Sequence, residues 1–157
     1  MQHHTSRGFT LPELIAVLLL VGILSVSAMP KLQAALTIRD DGWHDQIIAS
    51  LHYAHKSAIS RRRLVCADVG ASSVTLSIAS ANPASSCSVA LPGVDGQAQA
   101  ATSDGGAPAS ISPVGTLFFQ PSGRVSTDGT GSSTAIRTIT IAGQANIVLV
   151  GETGHAE

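Results

Sequence analysis

Glu13 is the residue to begin with, because it is a carboxylate at the head of an apolar run. The run from Leu14 to Leu24 is apolar throughout except Gly22, and from Leu11 to Met29 there is no Lys or Arg. That stretch is close to the roughly 20 residues a helix needs to cross a bilayer. A charge inside such a segment costs roughly 2.5–3.5 kcal/mol on insertion scales and usually marks function. If the chain is cut after Gly8, Phe9 becomes the new N terminus and Glu13 falls in the first helical turn. A carboxylate there suits the positive end of the helix dipole, and Pro12 is tolerated because first-turn amides have no intrahelical partner. In a bundle of identical segments, the nearest cation for Glu13 is the α-amine of a neighbouring Phe9.

The other reactive side chains make a thinner case. His52 and His55 are three apart on a predicted helix and could share a metal. No third ligand is apparent, and histidines at that spacing are commonly solvated, so no metal site is assigned. Ser122 has no identifiable base, so no catalytic residue is assigned and the chain reads as a non-enzyme without a cofactor. Asp128-Gly129-Thr130-Gly131 offers one carboxylate, too few for calcium, and reads as a flexible turn. Arg61, Arg62 and Arg63 could touch DNA phosphates or lipid headgroups, with Arg124 and Arg137 as further cations. Three cations at a helix end are also what the C-terminal dipole favours. Cys66 and Cys87 lie 21 positions apart. In an oxidising compartment such a pair usually closes, stabilising the fold by about 3 kcal/mol. Two buried free thiols are the other reading, since sequence does not give their distance.

Two long elements must position these groups. The first is a membrane helix to Pro30, continued by an amphipathic helix in which Ile47, Leu51, Ala54 and Ala58 share one face. Trp43, Ile48 and Ile59 widen that face. Gly42, after Asp40-Asp41, predicts a break or bend near Arg39–Trp43, and the helix should fade at Arg61–Arg63. The second is a run of strands: Leu64–Val69, Ser73–Ile78, Cys87–Leu91, Thr116–Gln120, Arg124–Ser126, Ile136–Ala142 and Ala145–Val150. Pro92–Pro113 reads as a long surface loop, Asp128–Ser133 as a second loose segment and Gly151–Glu157 as a frayed tail.

The totals fit this layout. The chain has 157 residues, a formal net charge of −1 and 12% charged residues. Near-neutrality gives no global reason to expect nucleic acid or acidic partners. The few aromatics are Phe9, Trp43, Tyr53, Phe118 and Phe119, so the core must rest on Val, Ile, Leu and Ala. The fold class is therefore α+β, a long N-terminal helix packed on a mainly antiparallel sheet domain. The expected divisions are a leader over 1–8, a transmembrane or filament-core helix over 9–30, an amphipathic helix over 31–63 and a β-rich domain over 64–157.

Gly8-Phe9-Thr10-Leu11-Pro12-Glu13 and the apolar stretch after it resemble the type IV pilin signature. The resemblance implies cleavage between Gly8 and Phe9 by a prepilin peptidase, N-methylation of Phe9, and a Glu13 that guides assembly by pairing with a neighbouring subunit's amino terminus. It implies a single-pass protein of the bacterial inner membrane, its C-terminal domain in the periplasm, working with other pilins or pseudopilins and an assembly platform. Tyr53–Ile59 with Arg62 and Val65, and Phe119–Val125, resemble the minor-pilin and pseudopilin branch typified by GspH and FimT. Val65-Cys66 with the second cysteine resembles MshC-type minor pilins. The tail, Gly151-Glu152-Thr153-Gly154-His155, lacks the Gly-Arg-X-Arg element of DNA-binding members. The function expected is thus a structural subunit of a type IV pilus or type II secretion pseudopilus. A pilus-tip module binding DNA or a surface is the alternative. A secreted globular protein, cut near Val26-Ser27-Ala28 by signal peptidase, is the third.

Overall fold

The computed structural model describes residues 10–157, with the side chains of 27–37 outside that description. The chain is α+β: one helix, α1 (Leu11–Arg61), is followed by ten short strands. These are β1 (Val65–Val69), β2 (Ser73–Ile78), β3 (Val89–Ala90), β4 (Gln99–Thr102), β5 (Ala109–Ser112), β6 (Leu117–Phe119), β7 (Val125–Ser126), β8 (Arg137–Ile141), β9 (Ile147–Val150) and β10 (His155–Ala156). All the strand pairs are antiparallel. One sheet runs β3-β2-β1-β6-β7 with β4 also on β2, and the other runs β10-β9-β8-β5. The chain divides into two compact units, with the boundary between Leu36 and Thr37 inside α1.

Within the second unit, α1 turns a strict face inward. Trp43, Ile47, Leu51, Ala54 and Ala58 are essentially inaccessible to solvent and pack with residues of both sheets, among them Val65, Leu117, Phe119, Ile139 and Leu149. The spacing of four, four, three and four is the helical period that buries one stripe. Ala54 and Ala58 are fully buried on this stripe among the branched residues of the sheets.

The helix is not interrupted near Gly42 as the sequence predicts. Gly42 lies on the exposed side, and the neighbouring Trp43 is buried. Packing of that indole outweighs the roughly 1 kcal/mol that glycine costs a helix. α1 ends instead in a Schellman arrangement. The Arg63 amide donates to the Ala58 carbonyl and the Arg62 amide to the Ile59 carbonyl. Arg62 supplies the left-handed residue at φ 51°.

Three expected loose segments are ordered. Pro92–Pro113 contains β4 and β5, and α1 fastens it in three places. Asp40 accepts from the Ala107 amide at 2.7 Å, Gln46 accepts from the Thr102 amide at 3.3 Å, and Ser50 donates to the Ala100 carbonyl at 3.0 Å. Gly151–Glu157 turns back as β10, burying Ala156 and exchanging backbone bonds between Glu157 and Val148. Asp128–Ser133 is wound around one carboxylate. Asp128 accepts from the amides and hydroxyls of Thr130, Ser132 and Ser133. Those hydroxyls, Thr130 first and Ser132 next, hold its carboxyl well below the usual carboxylate range.

Candidate functional site

The start of α1 is where the sequence concentrates its chemistry. Thr10 precedes the helix, Leu11 and Pro12 open it, and Glu13 is its third residue. The Glu13 and Leu14 amides both donate to the Thr10 carbonyl, at 3.1 and 3.2 Å. The Glu13 carboxylate reaches back to the same residue, accepting from the Thr10 amide at 3.4 Å and from its hydroxyl at 3.5 Å. This is the carboxylate half of a capping box, in which the third helical residue covers the amide of the residue before the helix. The fixed φ of Pro12 costs nothing in that turn. The sequence signal for it is Thr10-x-x-Glu13 at the head of the apolar run.

Beyond Glu13 the helix is apolar on every side. Leu18, Leu19, Leu20 and Val21 are four successive residues, which between them face all directions around a helix, and each is more than half exposed. Val26 is 77% exposed. A side-by-side run of this kind needs lipid or other protein around it. Residues 3–29 match the prokaryotic N-terminal methylation motif. No curated protein and no solved structure matches the chain. The motif marks a type IV pilin-like prepilin signal, and supports a pilin-like, membrane-anchored protein that is processed and assembled.

Gly8 and Phe9, the expected cleavage and methylation residues, lie outside the described residues. Among the described residues, no helix is long and apolar enough to cross a membrane. The stretch expected to span, 9–30, falls partly outside them, at Phe9 and at the side chains from 27 onward.

Cys66 and Cys87 form a disulfide with their Cα atoms 6.1 Å apart. It ties β1 to the segment leading into β3. Leu64, Cys66 and Ala79 form a small apolar cluster there, with Phe118 and Ala84 against it.

His52 and His55 serve the fold. His55 Nε2 donates to the Gly123 carbonyl at 2.8 Å, and His52 Nε2 donates to the Ala156 carbonyl at 3.2 Å. A carbonyl only accepts, so each Nε2 carries its proton and is turned away from metal ligation. Among the described residues no group of three or more His, Cys, Asp or Glu side chains could hold a metal. Gly123 has φ +90°, a value suited to glycine, and the tight turn it closes is what presents its carbonyl to His55.

The five arginines considered for phosphate contacts do not form one patch. Arg124 pairs with Glu152 at 3.0 Å, and Thr134 and Arg124 together keep the Glu152 carboxyl below its ordinary value. Arg137 is buried, donating to the Pro113 carbonyl. Arg61, Arg62 and Arg63 remain exposed, and among the described residues none of them has an acidic partner.

Proposed function

We propose that this chain is a minor pilin or pseudopilin: a prepilin cut between Gly8 and Phe9, N-methylated at Phe9, and built into a type IV pilus or type II secretion pseudopilus. One observation carries the reading. The motif match covers the same residues that present an all-round apolar helix headed by a single carboxylate. Before assembly that helix is covered by the inner membrane as a single span, with the β-rich domain in the periplasm. Removing it from lipid is tolerable only if an equally apolar surface replaces the lipid, and a bundle of identical helices supplies one. Glu13 then exchanges its contact with Thr10 for the α-amine of a neighbour's Phe9. The working divisions are 1–8 for the leader, 9–30 for the membrane and filament helix, 31–63 for its amphipathic continuation and 64–157 for the strand-rich domain.

Two features support the GspH and FimT branch, and the MshC-type minor pilins within it. The turn Gln120–Gly123 joins β6 to β7 and docks on His55 of α1, so the two resembling segments touch one another. The disulfide joins the cysteines of the MshC-like pattern. Partners on this reading are prepilin peptidase, an inner-membrane assembly platform and other pilins.

The test is mass spectrometry of the mature N terminus with a filament pull-down. Methylated Phe9 and loss of incorporation in Glu13→Ala are expected. A mature chain starting near Met29, released as a free monomer, would overturn the reading.

A further inference from the structure

A cleft of about 610 Å³ opens between the C-terminal end of α1 and β3, lined by Tyr53, Arg61 and Arg63 on one side and by Ile78, Val89 and Leu91 among others on the opposite side. Its size falls in the range of ordinary ligand sites. Arg62 takes the left-handed conformation between Arg61 and Arg63, and these two line the cleft while Arg62 does not. The apolar wall meets an open sheet edge. β3 pairs with β2 and ends the sheet on that side. Leu91 donates to Leu76 at 2.9 Å, and Ala90 lies opposite Ser77 in the same register. Bonded and non-bonded pairs alternate along an antiparallel ladder, so the amide and carbonyl of Ala90 turn away from β2 toward the free edge.

We propose that this cleft receives an extended peptide segment carrying a carboxylate, which adds beside β3 and pairs its backbone with Ala90 while its acid meets Arg61 and Arg63. Charge selects the acid: two arginines line the cleft, and among the described residues neither has an acidic partner. The edge selects a peptide. A phosphate or lipid headgroup satisfies the arginines but does not present a donor and an acceptor at the strand spacing that the amide and carbonyl of Ala90 offer. A second backbone supplies one donor and one acceptor at the strand spacing, the mode by which exposed edges capture segments of other proteins. Val89, 48% exposed, offers the apolar contact for a side chain of the incoming strand. The inference rests on the Thr37–Glu157 unit alone, so its failure leaves the assembly reading standing.

The experiment uses the full chain in detergent micelles and a fluorescent, end-capped octapeptide of alternating Val and Glu, with a Val and Lys peptide as counterpart. Binding of the Glu peptide only is expected. Arg61→Gln with Arg63→Gln should weaken it by about tenfold or more. Ala90→Pro should abolish it with the melting temperature unchanged, because the amide it removes is not bonded to β2. A Glu peptide N-methylated at alternate residues tests the pairing without altering the protein, and should not bind. Equal binding of the Lys peptide, undiminished binding of the methylated peptide, or displacement by equimolar inorganic phosphate would each overturn the proposal.

Discussion

Glu13, to which we assign a part in assembly, also has a local role through its contact with Thr10. Glu13→Gln keeps an oxygen for the Thr10 amide and discards the charge. It should leave α1 intact in micelles, by circular dichroism, yet cut filament incorporation; normal incorporation would remove the need for a charged Glu13. Asp128 has a role the sequence concealed. A carboxylate inside a Gly-, Ser- and Thr-rich stretch reads as loop, because only the folded chain shows its oxygens collecting amides and hydroxyls from the residues that follow. Its folded pKa lies below the unfolded value of about 3.9, so its contribution to stability is complete above about pH 4 and is lost as pH falls through the folded value. Protection of the Thr130–Ser133 amides, measured against their intrinsic exchange rate at each pH, should therefore hold from neutral pH to about pH 4 and fall at lower pH, whereas in Asp128→Ala it should be lost throughout. Gly129 sits against the Ser85 backbone, with no room for a Cβ. Gly129→Ala should cost about 3 kcal/mol in a denaturant titration, since backbone on both sides cannot give way.

Among the elements, α1 was the most legible, because a 3.6-residue apolar period survives any detail of its partners. Its end was legible only in part. Three arginines predict a finish favoured by the dipole, but not that Arg62 would take the left-handed position that glycine normally fills. Arg62→Gly should stabilise the fold by about 1 kcal/mol, read as a higher melting temperature, because the strain of a Cβ in that conformation is removed. The strands β1, β2, β6, β8 and β9 were legible from alternation of branched and aromatic residues. β4, β5 and β10 were not: their inward residues include Ala101, Ala109 and Ala156, too small to register as a periodic signal. Those strands are placed by hydrogen bonds from Asp40, Gln46, Ser50 and His52 on α1, which are long-range and invisible in a local window. The disulfide closes a segment with a sequence separation of 21. Replacing both cysteines by serine should lower stability by about 3 kcal/mol, checked by denaturant unfolding with and without reductant.

At the scale of the whole molecule, the division of labour follows from where apolar surface lies. The second unit buries its own: Trp43, Phe119, Ile139 and Leu149 are covered by the chain itself. Leu14–Val26 in the first unit are exposed, and their partner must come from outside. The separation predicts independent failure. Ile47→Ala should cost 2–5 kcal/mol of folding stability, whereas Leu18→Asn should leave thermal unfolding of the 37–157 unit unchanged and abolish membrane retention, read by cell fractionation. The motif at the head of the chain was legible from the sequence because it is linear, a short run of residues that needs no partner from elsewhere in the chain. The cleft at β3 was not, since it joins residues from position 53 to position 93 that only the sheet brings together.

The return of β10 onto β9 also governs how this molecule can be visualised. Ala156 is buried and Glu157 is bonded to Val148, so a fluorescent or affinity tag fused there would pry at the last strand and at His52. The hairpin tip at Gly143 is exposed and has open space around it. An epitope inserted at that tip would report on the intact protein.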